Sequence, residues 1–174
     1  MPGPLKPGPS MPASASQLRS FLAAAERAAD PRCALRPHLE QLVRESAESF
    51  HLLAFGKASL EMADEALLVL GARIAGGVVT CVPERLDSLS PDRRGAFDAA
   101  KFELLPADHP LATQRNVAAA MRVGEFVRSL APSGHLLVLI SGGGSAHLTL
   151  PAPELSLEHL RDVTQLLNRA GCDI

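Results

Sequence analysis

Tryptophan and tyrosine are absent from the chain, and aromatic residues make up only 3% of it. The 17 lysines and arginines form no block, and the net charge is -2. A nucleic-acid binder needs stacking platforms and a basic stripe. With neither present, that class is excluded. No run of apolar residues approaches the roughly 18 to 20 needed to cross a bilayer as a helix. Cysteine is scarce: Cys33, Cys81 and Cys172 lie far apart, with no C-x-x-C spacing. An odd, sparse set points to a reducing compartment, here the cytoplasm, rather than to a disulfide framework. No cluster of Cys and His suggests a metal site, and no metal ligands are identifiable. Met1 to Ala13 is rich in Pro, Gly and Ser and has no apolar core segment, so it reads as a disordered tail and not as a signal peptide.

Apolar residues make up 47% of the chain, enough for a core over residues 14–174. Leu18, Phe21, Leu22, Ala25 and Ala29 share one face of a helix over Gln17–Ala29. Asp30 caps a second helix that opens on Pro31 and buries Leu35, Leu39, Leu42 and Val43. A strand over Leu52–Phe55 runs through Gly56-Lys57-Ala58-Ser59 into a third helix. That helix buries Met62, Ala63, Ala66, Leu67 and Leu70, turns Glu61, Asp64 and Glu65 to water, and stops at Gly71. Further strands are expected at Gly77–Val82 and, nearer an edge, at Phe102–Leu105, with a helical turn near Arg93–Ala99 between them. A long helix over Asn116–Leu130 would bury Val117, Ala120, Met121, Gly124, Val127 and Leu130. The aliphatic run Leu136–Ile140 reads as a strand buried on both faces. A last helix runs from Leu157 to Ala170, with Ser156 as its cap and Gly171 as its stop. Strands alternating with helices predict an α/β fold, a three-layer, parallel-sheet domain of Rossmann-like type. Ligands of such sheets bind at the carboxyl ends of the strands.

Two glycine-bearing turns fall at such ends. At the first, a strand passing through Gly56 into a helix start would present free backbone N–H groups and a positive dipole end. Lys57 adds a charge suited to a phosphate or carboxylate, and Ser59 adds a hydroxyl. The turn is not a Walker A loop: His51 stands where that motif needs glycine, and Ala58 where it needs Ser or Thr. Nor does G-x-G-x-x-G occur, which argues against an NAD(P)-dependent reductase. The second turn is Ser141-Gly142-Gly143-Gly144-Ser145. Three consecutive glycines fit a backbone that approaches a ligand closely or forms an anion nest. His109, before Pro110, is a candidate acid/base or phosphate donor. His147 reads as a packing residue with no chemistry, and His38 and His159 as helix-surface positions.

Taken together, Gly56-Lys57-Ala58-Ser59 with Met62-Ala63, His109-Pro110, Ser141 through Ala146, and Thr164 with Leu166-Leu167-Asn168 before Gly171, Asp173 and Ile174 resemble the class II glycerate 2-kinases. Some members of that family carry the name hydroxypyruvate reductase. The resemblance spans about Leu18 to Ile174. It implies ATP-dependent, Mg²⁺-assisted phosphorylation of D-glycerate at its 2-hydroxyl, with ATP and D-glycerate as ligands. It also implies a cleft role for Lys57 and a phosphate or carboxylate cradle at Ser141–Ser145. His147 departs from the family, which has a small or aliphatic residue there. Family members continue into further sheet and a second domain. The chain is therefore expected to be a truncated domain without kinase activity alone, with apolar surface open to a second copy or to a partner supplying the C-terminal half. A non-catalytic phosphosugar-binding module would use the same two turns.

Overall fold

The computed structural model describes residues 14–172, so the expected tail, Met1 to Ala13, and the motif residues Asp173 and Ile174 lie outside the described residues. The chain opens with helices α1 (Ala15–Ala29) and α2 (Pro31–Glu45), separated by Asp30, whose carboxylate accepts from the Arg32 N–H. Strand β1 (Phe50–Phe55) follows, then α3 (Ser59–Leu70), β2 (Ile74–Cys81), α4 (Pro83–Asp87), α5 (Pro91–Ala99) and β3 (Phe102–Pro106). The remainder is α6 (Gln114–Ser129), β4 (His135–Ile140), the single turn α7 (Gly144–His147) and α8 (Leu157–Arg169).

All pairings are parallel, in the order β3-β2-β1-β4. The expected α/β class is therefore observed. Helices cover both faces. On one, Leu39 of α2 and Leu60, Ala63, Ala66 and Leu70 of α3 pack with Leu52, Ala54, Val79 and Phe97. On the other, Val123 of α6 meets Leu53 and Val78. The chain steps outward from β1 to β2 to β3, then returns across the sheet to place β4 on the other side of β1. That reversal makes the carboxyl ends of β1 and β4 the topological switch point, where open α/β sheets bind ligands.

Several burial expectations fail, each for a visible reason. β4 is an edge strand: only Leu139 is buried, and Val138 and Ile140 are 40% and 62% exposed. An aliphatic run predicts burial on both faces only if the strand has neighbours on both sides. α6 buries Asn116, Ala119 and Val123, while Met121 and Val127 are exposed. The face is rotated because the capping Thr113 and the bonded Asn116, rather than the apolar stripe, orient the helix. Val43 of α2 is also exposed. Glu65, expected in water, is 1% exposed and pairs with Arg36 at 2.7 Å. Asp64 pairs with Arg32 and Arg93 at 3.3 and 2.8 Å, and Glu61 pairs with Arg85. The acidic face of α3 is thus an ionic seam against α2, α4 and α5.

Candidate anion site at the strand ends

The β1–α3 turn does not offer its N–H groups to a ligand. The Gly56 N–H donates to His147 Nδ1 at 3.2 Å, the Lys57 N–H to the Gly142 carbonyl at 2.9 Å, and the Ala58 N–H to the Ser141 hydroxyl at 3.0 Å. The Ser59 N–H bonds the Gly56 carbonyl at 3.2 Å. The expectation of a free nest at this turn is overturned, because the second turn satisfies the first. Ser59 is displaced from the role expected of it as well. It is fully buried, and its hydroxyl donates to the Thr80 carbonyl at 2.7 Å.

The open donors belong to the second turn. Ser141 is committed, its N–H to the Phe55 carbonyl at 3.1 Å and its hydroxyl to the Ala58 N–H. The carbonyls of Gly142, Gly143 and Gly144 accept from Lys57, from Ala146 and His147, and from Leu148. Among the described residues, the N–H groups of Gly142, Gly143, Gly144 and Ser145 have no acceptor in the protein. A row of successive unpaired backbone donors is an anion-binding concavity.

Glycine is required here by contact. At Gly143, which has φ 87°, a Cβ would stand 2.8 Å from His109 Cδ2 and 3.2 Å from Lys57 Cγ. At Gly56, with φ 105°, it would stand 2.4 Å from the Ser141 carbonyl oxygen. Lys57 and His109 therefore converge over Gly143, and both are exposed. A cleft of about 490 Å³ opens beside them, lined by His109, Leu111, Gly143, Ser145, Leu160 and Arg161 among others. A larger groove, about 750 Å³, runs between Asp108–Arg115 and α8, but the glycine-rich turn does not line it; Lys57 lines neither. Of the open donors, those of Gly143 and Ser145 line the smaller cleft, which is the candidate site.

Two residues that carry the site's architecture were missed by the sequence reading. Asn116 is fully buried. Its amide donates to the carbonyls of Asp108 and Ala146 at 2.8 and 2.7 Å, and its oxygen accepts from the N–H groups of Asp108 and Thr113 at 3.1 and 2.8 Å. It bolts the His109 loop to the glycine-rich turn. The legible signal was Thr113-x-x-Asn116, a variant of the capping box at a helix start. The other is His147, also fully buried, with Nδ1 between Gly56 and Thr80 and no partner at Nε2. Its flanking apolar residues suggested packing, and its departure from the family's small or aliphatic residue was the one signal that singled it out. Among the described residues no group of three or more side chains is arranged to hold a metal ion, and no helix is long and apolar enough to cross a membrane.

Comparison with known proteins agrees with this fold. A family model described as a domain of unknown function, DUF4147, matches residues 17–174. The chain is 33% identical to the D-glycerate 2-kinase of Thermotoga maritima over 78% of its own length and 30% of the relative's. It is 37% identical to the glycerate kinase of Danio rerio, over 72% of this chain and 26% of that protein. The crystal structure of glycerate kinase from Thermotoga maritima superposes with a TM-score of 0.71 at 30% identity, over 88% of this chain and 34% of that one. The chain thus spans about a quarter to a third of the length of these relatives.

Proposed function

Because the chain belongs to the DUF4147 family, we propose that it forms the phosphate-binding part of a glycerate 2-kinase, which transfers the γ-phosphoryl group of ATP to the 2-hydroxyl of D-glycerate. The observation that carries this reading is the row of unpaired N–H groups from Gly142 to Ser145 with the Lys57 stem laid along it. Phosphoryl transfer asks the protein mainly for positioning and charge neutralisation. Fixed donors and a lysine cation supply both where negative charge concentrates. In this reading the Gly142–Ser145 amides hold phosphate oxygens, Lys57 neutralises them, and the Ser145 hydroxyl and His109 flank them in the cleft. Gly56 and Ser141 shape the turn. Ser59 only braces it.

The residues present fit an ATP phosphate. For Mg²⁺ they supply no preformed set, and Asp108, the carboxylate beside the site, is held by Thr113 and by Arg115. Magnesium commonly takes one or two carboxylates and completes its shell with phosphates and water. We place the protein in the cytoplasm, a reading supported by three cysteines that are all unpaired.

The test has two parts. ATP and inorganic phosphate are titrated into this chain and into Lys57→Ala by calorimetry. The variant should bind roughly 10- to 100-fold more weakly, the worth of one charge-assisted hydrogen bond. Transfer to D-glycerate is then assayed in a protein of the relatives' full length carrying these residues, with and without Lys57→Ala. A chain that binds neither ligand, or a variant that binds as well as the parent, would sink the reading.

A further inference from the structure

His147 joins three strand ends. Its Nδ1 lies 3.2 Å from the Gly56 nitrogen beyond β1, and 3.2 Å from both the hydroxyl and the carbonyl oxygen of Thr80 in β2, while its own backbone closes the turn after β4. The Gly56 N–H, aimed at Nδ1, is what argues for its tautomer. The Gly56 N–H can only donate, and the Thr80 carbonyl already accepts from Ser59 at 2.7 Å. A proton on Nδ1 would face the Gly56 N–H and leave that buried donor unpaired, at a cost of about 1–3 kcal/mol. With Nδ1 accepting from Gly56 and from the rotatable Thr80 hydroxyl, Nε2 carries the proton and has no partner among the described residues. Burial holds the imidazole below its ordinary titration range, and the neighbouring His109 adds to that. The Thr80 carbonyl would oppose it only if Nδ1 were protonated.

We propose that His147 is a positioning residue for the anion site: its Nδ1 pins the Gly56–Lys57 turn to the glycine-rich turn and so fixes Lys57 over the open N–H row. This rests on the anion-site reading above. Two backbone-level stitches, Lys57 N–H to Gly142 and Ala58 N–H to Ser141, tie the same turns. His147 alone among these ties also reaches β2, so it sets the turn against the sheet as well as against its neighbour.

The test compares His147→Asn, whose side-chain oxygen can accept from the Gly56 N–H, with His147→Leu, which fills the space and cannot. Imidazole ¹⁵N shifts should show the wild-type proton on Nε2. In a titration with inorganic phosphate, His147→Asn should stay within roughly threefold of wild type. His147→Leu should lose about tenfold, one charge-assisted bond's worth of placement. It should also lose slow exchange at the Gly56 amide while keeping the wild-type circular dichroism spectrum. The proposal is overturned by a proton on Nδ1, by a folded His147→Leu that binds phosphate like wild type, or by both variants weakening together in step with their melting temperatures. A wild-type chain that binds no phosphate defeats the site reading and the proposal with it. Binding by wild type that His147→Leu matches defeats the proposal alone.

Discussion

Cys81 ends β2 with 2% of its surface exposed, and burial pushes its thiol up to about 12, against a small lowering by Arg94. The thiolate is the reactive species. At pH 8 the native protein should therefore lose Cys33 and Cys172, both exposed, to iodoacetamide. Cys81 should react only after unfolding, a pattern mass spectrometry of tryptic peptides would resolve. Rapid native labelling of Cys81 would contradict the burial described here. The sequence placed Cys81 in a strand correctly because its valine-rich neighbours are legible locally. It also singled out the Gly56–Ser59 and Ser141–Ser145 turns as lying at strand ends, and both follow strands, β1 and β4. Hydrogen-bond ownership was not legible. Whether the Gly56 turn or the glycine-rich turn keeps its donors free depends on partners 83 to 91 residues away, Ser141 and His147. No local pattern encodes that.

At the scale of elements, α6 shows how one polar side chain can outrank an apolar stripe. Helical spacing chose Val117, Met121 and Val127, yet the buried face is Asn116, Ala119 and Val123. Asn116 engages four backbone groups around Asp108, Thr113 and Ala146. Rotating α6 toward its larger apolar residues would break all of them. Truncating Asn116 to alanine should cost on the order of 3 kcal/mol, because buried groups are left without partners. Urea unfolding would measure the loss. A value under about 0.5 kcal/mol, the range of an ordinary surface substitution, would show that water replaces the amide. β4 teaches the converse. Its aliphatic composition identified a strand but could not reveal its edge position, which depends on what lies beyond β4 in space.

Across the whole molecule, the fold brings residues from five separate segments to one end of the sheet, and His147 titrates at their junction. Its folded-state pKa lies below the ordinary 6.5 that the unfolded chain retains. Above pH 6.5 both states hold the neutral ring, and the group leaves stability independent of pH. Below it the unfolded chain takes up the proton first, so stability falls until the pH passes the lowered folded value. Other imidazoles are present, among them His109, whose ring lies 6.3 Å from that of His147, and His135, which sits 3.6 Å from Glu48. The His147 contribution must therefore be isolated by difference. Urea midpoints of wild type and His147→Asn, measured from pH 8 to pH 5, should run parallel above pH 7. They should converge below 6.5 as wild type alone loses the stability tied to a neutral imidazole. Curves that stay parallel to pH 5 would mean that the ring accepts its proton without disturbing Gly56 and Thr80. The neutral clamp between the strand ends would then be wrong.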